Sequence, residues 1–244
     1  MTAEPLTIVC SPRLDATEGG RWATFLDRDG VINAMVTDPE FGLVDSPANS
    51  EQFRLLPGVG AAIAALNRLG GLVVVVSNQP GIAKGKLTPE LLAAMDRKMV
   101  AEVGAAGGTV DAIIYCLHHP EASLAPYRMA CSCRKPKAGL LTHAAREWGI
   151  DLARSFMVGD GVTDIAAGQA AGAKTIFLSS RKCYICDALL EHGAWPDFQV
   201  PDLPAAAAVI VQIVSGDVDA SARSTARCGP PGGRPVMATT TLRP

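Results

Sequence analysis

Asp27 and Asp29 stand two residues apart in Phe25-Leu26-Asp27-Arg28-Asp29-Gly30-Val31, just past an apolar run and just before a glycine that can turn the chain. If Ala23 to Leu26 form a buried strand, the chain leaves the sheet's carboxyl end at Asp27, where ligands of open α/β sheets bind. Two like charges this close call for a cation, and carboxylate oxygens suit a hard ion such as Mg²⁺. Such an ion draws in phosphate. One Asp can then attack phosphorus to give an aspartyl-phosphate while its neighbour handles the leaving-group proton. Taken alone, D-x-D-G is equally the solvated turn that follows many strands.

Three later segments give the pair its context. Leu72 to Val76 is a second unbroken apolar run, ending in Ser77-Asn78-Gln79, where a hydroxyl and backbone N–H groups can hold a phosphoryl oxygen. Arg134-Lys135-Pro136-Lys137 supplies positive charge ahead of a helical pattern, and a lysine there offsets charge on a transferring phosphoryl group. Phe156-Met157-Val158 leads into Gly159-Asp160-Gly161-Val162-Thr163-Asp164, whose acids can complete a Mg²⁺ shell. Singly these are a capped strand end, a basic turn and a helix N-cap. Together they form four polar clusters, each tied to an apolar run or a helix start.

A second constellation pairs Cys116 with His118 and Cys131 with Cys133, across a loop that contains Pro120 and Pro126. Three sulfurs and one imidazole suit a closed tetrahedral zinc site. The alternative is a set of reduced thiols in a core. The second pair runs directly into Arg134 and Lys135, so a zinc there pins a loop that carries charge. His119 is read as a loop residue, because a fifth ligand overfills a structural site. Cys183 and Cys186 form a lone C-x₂-C pair and are read as ordinary thiols.

The order of the four motifs resembles the haloacid-dehalogenase-like phosphatase superfamily. The resemblance implies Asp27 as nucleophile, Asp29 as general acid/base, Ser77 as the phosphate-binding hydroxyl and Lys135 as the charge-neutralising lysine. It implies a Mg²⁺ held by Asp27, the backbone carbonyl of Asp29 and Asp160, with Asp164 as the second acidic position of the last motif. With FLDRDGVIN, SNQPGIAKG, YCLHHP and CSCRKPK all present, the chain is similar to the D-glycero-D-manno-heptose 1,7-bisphosphate 7-phosphatases and their relatives, the histidinol-phosphate phosphatases. Asn78, Gln79 and Arg134 are then expected to bind substrate. The expected activity is hydrolysis of a sugar phosphate, with histidinol phosphate as the alternative and a non-catalytic zinc-loop binding module as the reading from another class. The chain departs from the heptose enzymes at Gly161, where they usually have Lys, and the stretch from Asn33 to Pro57 is longer than usual.

At 244 residues, 48% hydrophobic and 19% charged, the chain can bury a full core in one domain. Its formal charge of −2 gives no basic footprint for nucleic acid, and no apolar stretch approaches the length of a membrane span. Met1 to Leu14 lacks a secretory pattern and the cysteines number seven, so the expectation is a cytoplasmic protein with small-molecule partners, acting as a monomer.

To place the motifs, strands must alternate with helices. Apolar runs at Ala23 to Leu26, Leu72 to Val76, Ala112 to Tyr115, Phe156 to Val158 and Thr175 to Leu178 predict parallel strands. Gly58 to Leu69, Gly139 to Trp148, Asp164 to Ala171 and Pro204 to Val214 read as helices, and Thr88-Pro89-Glu90 opens another that Gly104 closes. The fold class is α/β: a Rossmann-like parallel sheet with helices on both faces and a zinc-binding loop, capless because no separate cap domain fits around Ser77. Residues 1–20 are expected to be irregular, 21–214 to form the phosphatase domain and 215–244 to be a disordered tail. Trp148, Trp195 and Tyr127 are read as packing residues.

Overall fold

The computed structural model describes residues 4–15, 20–37, 40, 42–179, 188–189 and 191–217. Cys183, Cys186 and nearly all of the expected C-terminal tail lie outside the described residues. The strands are β1 (Leu6–Val9), β2 (Ala23–Leu26), β3 (Val36–Thr37), β4 (Val44–Asp45), β5 (Leu72–Asn78), β6 (Ala112–Cys116), β7 (Phe156–Gly159), β8 (Lys174–Leu178) and β9 (Phe198–Val200). The helices are α1 (Val59–Arg68), α2 (Pro80–Ala83), α3 (Pro89–Ala105), α4 (Gly139–Trp148), α5 (Val162–Ala171) and α6 (Leu203–Ser215).

A seven-stranded sheet has the order β1-β6-β5-β2-β7-β8-β9, with every neighbouring pair parallel except β1 with β6. The chain therefore reverses direction between β5 and β7 about the central strand β2. At such a point the loops diverge and leave a crevice at the strands' carboxyl ends. β2 is buried along its whole length, which accounts for its continuous apolar run.

Successive strand residues face opposite sides, and the core divides accordingly. Val73, Val75, Ile113, Tyr115 and Val158 pack on one face with α1, α3 and α6. Val74, Val76, Ile114 and Met157 pack on the other with Leu140, Leu141 and Ala144 of α4. Thr88 caps α3, its side chain accepting from the Leu91 N–H, and Pro89 occupies the first helical position.

Two expectations need correction, and the long loop after the first motif gains a structure. The N-terminal segment read as irregular carries β1, which adds an antiparallel edge strand to a sheet expected to be wholly parallel. Its four-residue length and partial exposure give it little periodic signal. The long Asn33 to Pro57 stretch contains the β3–β4 hairpin and returns to the core through Phe53, with Lys98 of α3 donating to the Ser50 and Phe53 carbonyls at 2.8 and 3.0 Å. Trp195 is 53% exposed and is not a packing residue.

Asp111 ties the N-terminal segment to the sheet. Its carboxylate, fully buried, accepts from the Val73 N–H at 2.8 Å and pairs with Arg13 at 3.4 Å, and its carbonyl accepts from the Cys10 N–H. Asp111→Ala should strand the Val73 N–H and lower unfolding free energy by about 1–3 kcal/mol in a denaturant melt. Asp111→Asn, which keeps an acceptor oxygen, should lose less; equal losses would refute the hydrogen-bond account.

Candidate active site

Four strand ends deliver the polar motifs to one place. Asp27 follows β2, and its N–H donates to the carbonyl of Val158 in β7. Ser77 and Asn78 end β5, Cys116 ends β6 and Asp160 follows β7. Gly30 allows the first loop to close: its φ is +92°, and a Cβ there would lie 2.1 Å from Asp160 Oδ2.

Lys135 comes from the loop before α4 and crosses beneath this group. Its ammonium lies 2.8 Å from Asp27 Oδ1 and 2.6 Å from Asp164 Oδ1, and it donates to the Val76 carbonyl at 2.9 Å. Burial works against the Lys135 charge, but Asp164 and Asp27 more than offset it, so its pKa lies above the ordinary lysine value. Burial pushes Asp164 up to about 7 in spite of Lys135, with Asp27 adding repulsion. Asp164 Oδ2 also accepts from the Gly161 N–H at 3.0 Å, closing the first turn of α5.

Asp27, Asp160 and Asp164 bring carboxylate oxygens within 4.8 Å of one another. That donor set, all oxygen and anionic, fits a hard divalent cation such as Mg²⁺. Both Asp164 oxygens are engaged, Oδ1 by Lys135 and Oδ2 by the Gly161 N–H, whereas Lys135 contacts Asp27 through Oδ1 alone, so Asp27 and Asp160 are the carboxylates better placed for such an ion.

The Asp29 carboxylate is directed elsewhere. It accepts from Asn33 Nδ2 at 2.9 Å, from Gln79 Nε2 at 2.7 Å, and from the Arg28 guanidinium at 3.2 to 3.3 Å. Burial alone would raise its pKa, but the Arg28 charge and these donors outweigh burial and lower it. Arg28 is fully buried; its Nη1 lies 3.4 Å from Tyr115 Oη and 3.7 Å from Asp96 Oδ1, and Tyr115 Oη donates to Asp96 Oδ1 at 2.6 Å.

Two residues expected to bind substrate face inward. Gln79 is 3% exposed, and its amide nitrogen is shared between Asp29 and Ser77 Oγ, the latter at 3.3 Å. Asn78 makes a two-point contact with the Lys135 backbone, donating to its carbonyl and accepting from its N–H, each at 3.0 Å. Arg134, the third, is half-buried and donates to the His118 carbonyl at 3.2 Å. Spacing alone had assigned no role to Arg28, Asn33, Asp96 or Tyr115. The available signal was a lone Asp beside the Leu92, Met95, Met99 stripe of α3 and a Tyr within an apolar strand.

Beside this site lie the four expected metal-binding side chains, all buried. Cys131 Sγ is 3.6 Å from Cys116 Sγ and 3.3 Å from Cys133 Sγ; His118 Nδ1 is 3.8 Å from Cys116 Sγ and 3.6 Å from Cys133 Sγ. A tetrahedral zinc would set sulfur–sulfur edges of about 3.8 Å and sulfur–nitrogen edges of about 3.6 Å, so the cage has the right size. The cysteines are free, their sulfurs too far apart for disulfide bonds. Hydrogen bonding with Cys133 draws Cys116 down to about 5, and the same bond pushes Cys133 up. His119 lies outside the cage, its Nδ1 accepting from the Glu121 N–H. Titration of the reduced, metal-free protein with Co²⁺ should give thiolate-to-metal absorption that saturates near one equivalent. Cys131→Ser combined with Cys133→Ser should abolish it, and an unchanged spectrum would refute the ligand set.

Among known proteins, the HAD-hydrolase-like family model matches residues 132–206, the segment from the cage through Lys135 and Asp160 to α6. The D-glycero-beta-D-manno-heptose-1,7-bisphosphate 7-phosphatase of Vibrio cholerae is 42% identical over 156 residues, covering 64% of this chain and 80% of that protein. The Salmonella typhi protein of the same name is 37% identical over 186 residues, covering 75% and 94%. The solved structure of D,D-heptose 1,7-bisphosphate phosphatase from B. bronchiseptica, complexed with magnesium and phosphate, superposes with a TM-score of 0.64 at 32% identity, covering 78% of this chain and 98% of that one. Its sheet order, its ordered motifs and these likenesses together make the chain a member of the heptose-1,7-bisphosphate 7-phosphatase family of HAD-like hydrolases.

Proposed function

We propose that this phosphatase removes the 7-phosphate of D-glycero-D-manno-heptose 1,7-bisphosphate through an aspartyl-phosphate on Asp27, with Mg²⁺ in the site and zinc in the neighbouring cage. The observation that carries the reading is the Lys135 ammonium, brought across 108 residues of sequence to 2.8 Å from Asp27 Oδ1. A fixed positive charge beside a carboxylate nucleophile is what an incoming phosphoryl group requires.

An Asp27 carboxylate oxygen attacks phosphorus in line, forming the acyl-phosphate bond as the bond to the sugar oxygen breaks. Asp29 gives its proton to that oxygen. Lys135 and the Ser77 hydroxyl stabilise charge on the phosphoryl oxygens. In the second half, water attacks phosphorus, Asp29 takes its proton and the bond to Asp27 breaks. The low pKa of Asp29 keeps it ionised at rest; the anionic phosphoryl group entering beside it raises its proton affinity, so that it takes up from solvent the proton it gives to the sugar oxygen and can accept one from water in the second half. Asp27, Asp160 and the Asp29 carbonyl would hold a Mg²⁺, which when bound would supply further charge neutralisation.

Thiolates prefer a softer ion than Mg²⁺, which supports zinc in the cysteine cage. The cage adjoins the site directly: Cys116 pairs with Asn78 across β5 and β6, and Lys137 donates to the Cys131 carbonyl at 2.6 Å. Zinc there would stiffen the loop that carries Arg134 and Lys135. Reduced thiols support a cytoplasmic location. No described helix is long and apolar enough to cross a membrane.

Asp27→Asn removes the attacking charge, and turnover should fall by about 10³-fold or more, with no phosphoenzyme trapped on acid quenching. Turnover within tenfold of wild type would sink the covalent mechanism. Phosphate release from heptose bisphosphate, compared with fructose 1,6-bisphosphate and histidinol phosphate, tests the substrate.

Gly161 has extended backbone, φ −130° and ψ 157°, so it is not a position reserved for glycine. An added Cβ would lie 3.3 Å from Asp164 Oδ2, a contact a small shift relieves. Gly161→Lys should therefore fold and lower KM for phosphate esters while kcat changes little. A fall in melting temperature with no KM gain would show that the residue packs against Asp164 more tightly than this.

A further inference from the structure

Asp29 has two jobs in the proposed reaction, and both depend on where its carboxylate points. Neither oxygen is left to chance. Oδ1 accepts from Asn33 Nδ2 at 2.9 Å and from Arg28 Nε and Nη2 at 3.3 Å, while Oδ2 accepts from Gln79 Nε2 at 2.7 Å and lies 3.2 Å from Arg28 Nη2. Behind this ring of donors the structure is closed. Arg28 has no exposed surface, stacks 5.6 Å over the Tyr115 ring, and shares Asp96 with the Tyr115 hydroxyl. Tyr115 is itself fully buried in β6, and Asp96 lies on the core side of α3.

A guanidinium placed in a core normally costs stability unless its hydrogen bonds are met. Here its partners are a catalytic carboxylate, a phenol and a second carboxylate, from three separate elements. No exposed surface is left for Arg28 to touch a substrate. Gln79 is placed in the same way: its amide nitrogen touches Asp29 and Ser77, so it connects the general acid/base to the phosphate-binding hydroxyl.

We propose that Gln79 and the buried Arg28–Tyr115–Asp96 chain are positioning residues that hold the Asp29 carboxylate at the height of the leaving-group oxygen, in register with a phosphoryl group on Ser77. Gln79 acts through Asp29 and not on the sugar. This rests on the phosphatase mechanism above and deepens it.

The chemistry separates positioning from general loosening. Breaking the bond to a sugar oxygen needs a proton from Asp29, because an alkoxide is a poor leaving group. p-Nitrophenolate leaves without one. Displacing Asp29 should therefore slow formation of the phosphoenzyme from the sugar ester and spare it from the aryl ester. Hydrolysis of the phosphoenzyme, for which Asp29 is the base, should slow for both.

The test compares wild type, Gln79→Met and Tyr115→Phe in rapid-quench experiments with heptose bisphosphate and p-nitrophenyl phosphate. Gln79→Met should lower the first-turnover rate on the sugar ester by about 10- to 10²-fold, with KM for both substrates near wild type. On the aryl ester it should leave the first turnover near wild type and produce a nitrophenolate burst followed by a slower steady state. Tyr115→Phe, which keeps the ring and removes the hydroxyl, should give the same pattern more weakly, and it carries the test if Gln79→Met does not fold. Equal losses of first-turnover rate on both esters, or a raised KM for the sugar ester alone, would overturn the positioning role. A wild-type protein that forms no phosphoenzyme from either ester would overturn the parent mechanism and this inference together.

Discussion

The Lys135 ammonium is the interaction on which the rest of the site depends. Asp27, Asp160 and Asp164 converge within a few ångströms at the ends of β2 and β7, and the described fold supplies one ammonium in direct contact with two of them. Removing such charges from water costs several kcal/mol per ion, about that much even after relaxation, and only close opposite charge with good hydrogen bonds offsets it. Lys135 meets that condition at 2% exposure, with two carboxylates and the Val76 carbonyl around its ammonium.

Holding a lysine that firmly requires a firm loop, and the loop is held at two levels. The Asn78 amide grips the Lys135 backbone at both its N–H and its carbonyl. On its other side the chain runs out of Cys131 and Cys133, whose sulfurs close with Cys116 and His118 into a cage of tetrahedral dimensions. Cys116 and Asn78 are register partners on adjacent strands, so the cage and the lysine share one foundation. Metal binding there would pass directly into the geometry of the charge facing Asp27.

A second polar layer lies beneath the first. Arg28, Tyr115 and Asp96 sit among apolar side chains of β6 and α3, where unpaired charge would be costly, and each is paired with another of the three. The same layer fixes Asp29. The two Asp residues of the first motif, two residues apart, thus have different surroundings: Asp27 faces Lys135, and Asp29 faces Arg28, Asn33 and Gln79. Both lie past the end of β2, where the chain leaves strand geometry and turns at Gly30, so residues that strand alternation would place on one side point to different surroundings.

Much of the fold was legible in the residues because it rests on local rules. Five apolar runs became five strands, the Thr88-Pro89 cap opened α3, and the predicted helix Gly139 to Trp148 matches α4. The ordered motifs were equally legible, since each polar cluster ends a buried run. Short edge strands such as β1 and β9 were not, because three or four half-exposed residues carry no decisive period and their identity comes from a neighbour's unpaired backbone. The direction of each polar side chain was also beyond reach. Nothing in Ser77-Asn78-Gln79 says that Asn78 turns to Lys135 and Gln79 to Asp29, or that Arg28 lies in the core beside Asp96, 68 residues away. Sequence by itself determined which chemical groups the site contains and the order of the strands' ends that bear them. Tertiary structure decided which group faces which, because buried charges must find partners and those partners come from elements that meet only when the sheet is assembled.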